Sequence, residues 1–141
     1  MTEEREAPRL HHIAFAVAPE RLAAVAEMFT EIGFSFQPVE LDELGVIVHL
    51  DWNGGLELIS AVPGSTAEVA TFVNDFVQRH GDGVYTVVLR VPGVSAAESI
   101  AERYGSTTRF RQSFSGEGTY LDEIDLSVFG LPLTFLSTNI P

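Results

Sequence analysis

Two residues of this chain have the type and setting for chemistry: His12, in the segment LHHIAFAV (Leu10 to Val17), and Glu57, in LELIS (Leu56 to Ser60). An imidazole and a carboxylate can pass a proton to and from a substrate, and both are residue types that hold a catalytic divalent metal. Each segment has a later, degraded echo. VYTVVLRV (Val84 to Val91) answers the first, and LTFLS (Leu133 to Ser137) answers the second. At the echoed positions stand Thr86 and Thr134, hydroxyls in place of histidine and carboxylate.

Counting with period two extends the set. If Val46, Val48 and Leu50 face the helices, then Ile47, His49 and Asp51 take the other side of their strand. His12, His49 and Glu57 would then form a two-histidine, one-carboxylate face of the kind that holds non-haem iron or zinc. The same count sets Glu123, Asp125 and Ser127 opposite Ile124, Leu126 and Val128. Glu123 and Asp125 thereby join His12, His49 and Glu57 as candidates for acid-base work, and crowding of this kind perturbs protonation. The competing reading places His49 in local hydrogen bonds and the extra carboxylates at solvated strand ends. For Arg109 and Arg111, which flank Phe110, an anion clamp and a solvated strand face both fit.

Composition limits what such a site can be. The absence of cysteine excludes disulfides, thiolate nucleophiles and cysteine-held metals together. Twenty acidic against eight basic residues give a net charge of −12, which repels polyanions, so nucleic acid is not an expected partner. No apolar run reaches the length of a membrane span, and MTEEREAPR is polar and acidic where a signal peptide is basic and then apolar. A cytoplasmic protein with a small-molecule partner is the expectation.

The elements that must position the candidates follow from periodicity. Leu10 to Val17 reads as a strand with Ile13, Phe15 and Val17 on one face and His12 on the other. A helix with Pro19 in its first turn and the stripe Leu22, Val25, Phe29 and Ile32 follows and ends at Gly33. Strands over Phe34 to Leu41, Gly45 to Trp52 and Leu56 to Ala61 complete a first unit. Thr66 to His80 reads as a linking helix, closed by Gly81-Asp82-Gly83. The second unit repeats the order: strand Val84 to Val91, a helix over about Ser95 to Tyr104 with Ile100 and Tyr104 inward, and strands near Thr107 to Phe114, Leu121 to Phe129 and Leu131 to Thr138. Thr86 lies 74 residues after His12, Tyr104 75 after Phe29, and Thr134 77 after Glu57. So regular an offset indicates tandem duplication, in which each half-covered sheet needs its sibling.

At these residues the chain resembles the vicinal oxygen chelate superfamily, with LHHIAFAV before a helix, LELIS before a proline and a second start after Gly81-Asp82-Gly83 most similar to its methylmalonyl-CoA epimerase branch. The resemblance covers about Leu10 to Thr138. It implies an α+β fold of two tandem βαβββ modules forming a curled mixed sheet around a shared cleft. The expected organisation is a polar tail over 1–9 and a single domain over 10–141, comprising module one at 10–62, the linking helix at 66–80 and module two at 84–138. One divalent metal ion is the implied cofactor, with His12 and Glu57 as ligands and His49 as a replacement. Thr86 and Thr134 stand where the branch has its second histidine and a glutamate, so a metal-free variant stands beside the metal-bound one. Two functions fit. One is an isomerase, epimerase or lyase acting on a small oxygenated molecule through the cleft His and Glu residues. The alternative resembles the bleomycin-resistance branch, a metal-free homodimer that sequesters a ligand without turnover.

Overall fold

The computed structural model describes residues 7–141, and of Glu40 the backbone only. The first six residues of the expected tail lie outside the described residues. The strand that follows starts at Arg9. The chain is α+β, with the order β1 (Arg9–Ala16), α1 (Leu22–Ile32), β2 (Gln37–Leu41), β3 (Val46–Asp51), β4 (Leu56–Ala61), α2 (Glu68–His80), β5 (Gly83–Arg90), α3 (Val94–Glu102), β6 (Thr107–Gly116), β7 (Thr119–Val128) and β8 (Leu131–Thr138). Two βαβββ modules flank α2. The chain forms two compact units, His12–Tyr85 and Thr86–Pro141, the latter with the described residues ahead of His12.

In the first unit the strands run β2-β3-β4-β1, with β3 antiparallel to both neighbours and β1 parallel to β4. A 3-10 turn at Pro19–Arg21 leads into α1, which stops at Gly33, whose φ of 129° suits a residue without Cβ. Val17, Leu22 and Leu58 form the buried core beneath α1, packed by Phe15, Val25, Phe29, Phe36 and Ile47. The helix stripe is shorter than expected, because Ile32 is 66% exposed. Phe34 and Phe36 precede β2 as coil and pack edge-on against Phe29.

Two tethers set the ends of this unit. Asp82 accepts hydrogen bonds from Arg21 Nε at 2.7 Å, Arg21 Nη2 at 2.8 Å and the Ala18 amide at 3.1 Å. The bidentate Arg21 pair, aided by the Ala18 amide, holds the Asp82 carboxyl below its ordinary range. Gly81-Asp82-Gly83 is thus a buttress for the entry to α1. Gly45, in the β2–β3 turn with a φ of +69°, lies under the start of α2. A Cβ there would meet Ser65 and would sit 3.0 Å from the Cβ atoms of Ala67 and Ala70. The approach is fastened by Ala70 N–H donating to Leu44 O and Val62 N–H to Gly45 O.

The second unit repeats the plan as β5-β8-β7-β6, with β5 parallel to β8 and β7 antiparallel to both β8 and β6. Ala101, Ile124, Leu126, Val128 and Phe135 form its core, with Val94 and Ala97 of α3 against it. Here the expected inward pair is corrected: Ile100 and Tyr104 are 51% and 57% exposed, and Tyr104 lies past the helix end. Small residues let α3 approach the sheet closely, and Glu98 is buried beside them at 7% exposure. The β7–β8 hairpin closes through Phe129 and Gly130, both with positive φ, between the paired residues Val128 and Leu131. Among the described residues no helix is long and apolar enough to cross a membrane.

Candidate functional site

Strands β1 and β4 lie side by side with Ala14 opposite Glu57. Phe15 and Leu58 point into the core under α1, so alternation sends His12 and Glu57 to the opposite face. There His12 Nε2 and Glu57 Oε1 are 2.9 Å apart. The imidazole is almost fully buried, while the carboxylate keeps 18% of its surface. A carboxylate oxygen can only accept, so Nε2 carries the proton in this contact. The expected pairing of these two residues is therefore present within one unit, as an imidazole held by a carboxylate.

His49 is not brought to them. Leu50 is the cross-strand partner of Glu57, and His49 is the partner of Leu58. Ile47 packs in the core under α1, and the His49 ring meets Phe36 edge-on at 6.1 Å. The alternation of β3 is the reverse of the one read from the sequence: Ile47 and His49 face the helix, and Val48 and Leu50 share the face of Glu57. Asp51, the last residue of the strand, accepts the amides of Gly54 at 2.8 Å and Ser35 at 3.0 Å. Those amides hold its carboxyl below the ordinary range, and its work is to close the turn.

In the second unit the count for β7 holds. Ile124, Leu126 and Val128 enter the core, leaving Glu123 and Asp125 on the far face. Thr86 and Thr134 meet there with their hydroxyl oxygens 2.9 Å apart, and Thr134 donates to Asp125 Oδ1 at 2.6 Å. Thr86 is 5% exposed and Thr134 1%. Arg109 Nη2 lies 3.4 Å from Asp125 Oδ2. Glu123 accepts from Gln112 Nε2 at 2.9 Å. Arg109 reaches Asp125 because the β6–β7 register shifts between Thr108 and Phe110, which makes Arg109 the extra residue of a bulge. Alternation alone could not reveal this. Arg111 faces the other way and grips Glu98 of α3 with both Nη atoms, so neither arginine lies on a simply solvated strand face.

A catalytic zinc-type site needs about three protein ligands. His12 and Glu57 supply two and are hydrogen-bonded to each other, and among the described residues no group of three His, Cys, Asp or Glu side chains is placed to hold a metal. The matching residues of the second unit are neutral hydroxyls, poor ligands for transition metals, bonded to one another and to Asp125. This donor set does not fit the divalent metal that the sequence resemblance implies.

No protein-family model matches the chain, and no curated protein matches its sequence. Solved structures do match over nearly its whole length. A hypothetical protein from Bacillus halodurans C-125 is 15% identical with a TM-score of 0.69, covering 96% of this chain and 98% of that one. Methylmalonyl-CoA epimerase of Streptomyces coelicolor, in complex with 2-nitronate-propionyl-CoA, is 18% identical with a TM-score of 0.66, covering 94% and 98%. A variant of 4-hydroxymandelate synthase from Streptomyces coelicolor, 20% identical with a TM-score of 0.66, takes in 99% of this chain, which spans half of that longer protein. The fold of the chain is the vicinal oxygen chelate fold, and identities in this range speak for the fold alone.

Proposed function

We propose that the chain is a metal-independent acid-base enzyme of the isomerase, epimerase or lyase type, acting on a small oxygenated organic molecule through His12 and Glu57. The observation that carries this reading is the 2.9 Å contact between a buried imidazole and a carboxylate on the face of the sheet turned away from α1. Glu57 holds the Nε2 proton and so fixes the tautomer and the ring orientation. The His12–Glu57 pair then takes a proton from a carbon beside a carbonyl, which leaves an enolate. Return of the proton to the same carbon from the other side epimerises it, return to a neighbouring atom isomerises the molecule, and loss of a leaving group from the adjacent carbon gives the lyase outcome. A positioned base of this kind supplies roughly 10²- to 10⁴-fold in rate.

Substrate choice follows from charge. A net charge of −12 opposes a polyphosphate tail, so a substrate without the coenzyme A of the structurally similar epimerases is favoured. The chain is further proposed to work as a cytoplasmic homodimer, which sedimentation at twice the chain mass would verify. The acidic balance also favours a second reading, sequestration of a cationic ligand without turnover.

Deuterium exchange separates these. In D₂O with excess EDTA, methylmalonyl-CoA, free methylmalonate and a series of 2-oxo and 2-hydroxy acids are followed by proton NMR. The expected result is exchange at the carbon next to the carbonyl in at least one compound, unaffected by EDTA and reduced at least ~10²-fold in His12→Ala and in Glu57→Gln, with circular dichroism unchanged. Exchange abolished by EDTA, or wild-type rates in both variants, would overturn the proposal. Saturable binding of a cationic ligand recovered unaltered, without exchange of any compound, would establish sequestration instead.

A further inference from the structure

We infer that Thr86, Thr134, Asp125 and Arg109 form a directed hydrogen-bond relay that selects ligands presenting a hydroxyl donor, with Thr86 as the specificity-determining residue. Direction follows from proton counting. Each threonine has one hydroxyl proton, and an ionised carboxylate has none to give. Thr134 donates to Asp125 Oδ1 at 2.6 Å, so its proton is committed. The 2.9 Å contact between the two hydroxyls must therefore be made with the proton of Thr86. What Thr86 has left is two lone pairs, and its hydroxyl can only accept. A pair of threonines that served packing alone would be satisfied by each other and could point either way. Here the bulge at Arg109 brings a guanidinium to 3.4 Å from Asp125 Oδ2, a second donor on the carboxylate that accepts the Thr134 proton.

A donor of the ligand meeting Thr86 Oγ1 makes a hydrogen bond in a buried setting, whereas a carbonyl oxygen at the same place faces lone pairs and is repelled. The preferred class is a small 2-hydroxy-carbonyl compound over its 2-oxo counterpart. This deepens the reading of a small oxygenated ligand but requires no turnover, and its test reads binding alone, so it can stand or fall independently of acid-base catalysis by His12 and Glu57.

Two neutral matched pairs, methyl lactate with methyl pyruvate and lactamide with pyruvamide, are titrated into the full chain carrying labelled threonine methyl groups, and the shifts of Thr86 and Thr134 are followed by NMR. The hydroxy member of each pair is expected to bind about tenfold more tightly, the effect of one buried hydrogen bond. In Thr86→Val the ratio should fall to near one, while Thr86→Ser, which keeps the hydroxyl, should retain it. Asp125→Asn should invert it. Arg109 draws the amide oxygen of the new side chain, so the amide nitrogen faces Thr134; Thr134 then donates to Thr86, whose own proton is released toward the ligand. Equal affinities in the wild type, binding by no member of either pair, or an unchanged preference in Asp125→Asn would overturn the relay.

Discussion

Among single residues, Glu98 shows best how a buried charge is kept. It accepts from Arg111 Nη1 at 2.7 Å, from Arg111 Nη2 at 2.5 Å and from Thr108 Oγ1 at 2.5 Å. Arg111 first and Thr108 second hold its carboxyl below the ordinary glutamate range. A depressed folded-state pKa means that the stabilisation is complete above the unfolded value, about 4.3, and is lost as pH falls through the folded one. Glu98→Gln should therefore lower the urea midpoint at pH 7, and the gap to the wild type should close as pH drops below ~4. A gap that widened on acidification would contradict the pairing. The residue scale is also where the sequence was half legible. His12 and Glu57 could be placed because each sits in a strand whose one face is clearly apolar. His49 could not, since β3 is apolar at Val46, Ile47, Val48 and Leu50, and with both faces apolar neither parity stands out.

Elements obey local rules that the sequence displays, until a bulge or a close approach intervenes. Strands, helices and stops were legible from alternation, helical spacing and glycines, whereas the extra residue at Arg109 left no mark in the pattern and reassigns that side chain to the face of Asp125. Gly45 is a second such place. Its positive φ and the Ser65, Ala67 and Ala70 side chains above it leave no room for a methyl group, so Gly45→Ala should cost at least about 2 kcal/mol by urea denaturation. Near-neutral behaviour would mean that α2 can move off the β2–β3 turn. The β7–β8 hairpin carries the opposite opportunity. A two-residue turn with positive φ at both positions favours Asn-Gly, yet Phe129 stands there at φ 54° and 77% exposed. Phe129→Asn should stabilise the protein by about 1 kcal/mol, read as a rise in the urea midpoint; a fall would show that the ring, which lies 6.1 Å from that of Tyr104, contributes more than the backbone loses.

For the whole molecule, the repeat of strand, helix and three strands was visible because its spacing is kept even where its residues are not. That is also why structures only 15% to 20% identical share the fold. Function was less legible for the same reason, since a fold positions side chains without choosing them. The two units make this concrete. In one, the first and last strands of the module bring His12 and Glu57 to 2.9 Å; in the other, the corresponding strands bring Thr86 and Thr134 to 2.9 Å. In evolutionary terms each unit is a socket whose geometry outlasts its occupants: one pair of side chains can be exchanged for another of quite different chemistry while the strands beneath them stay where they were.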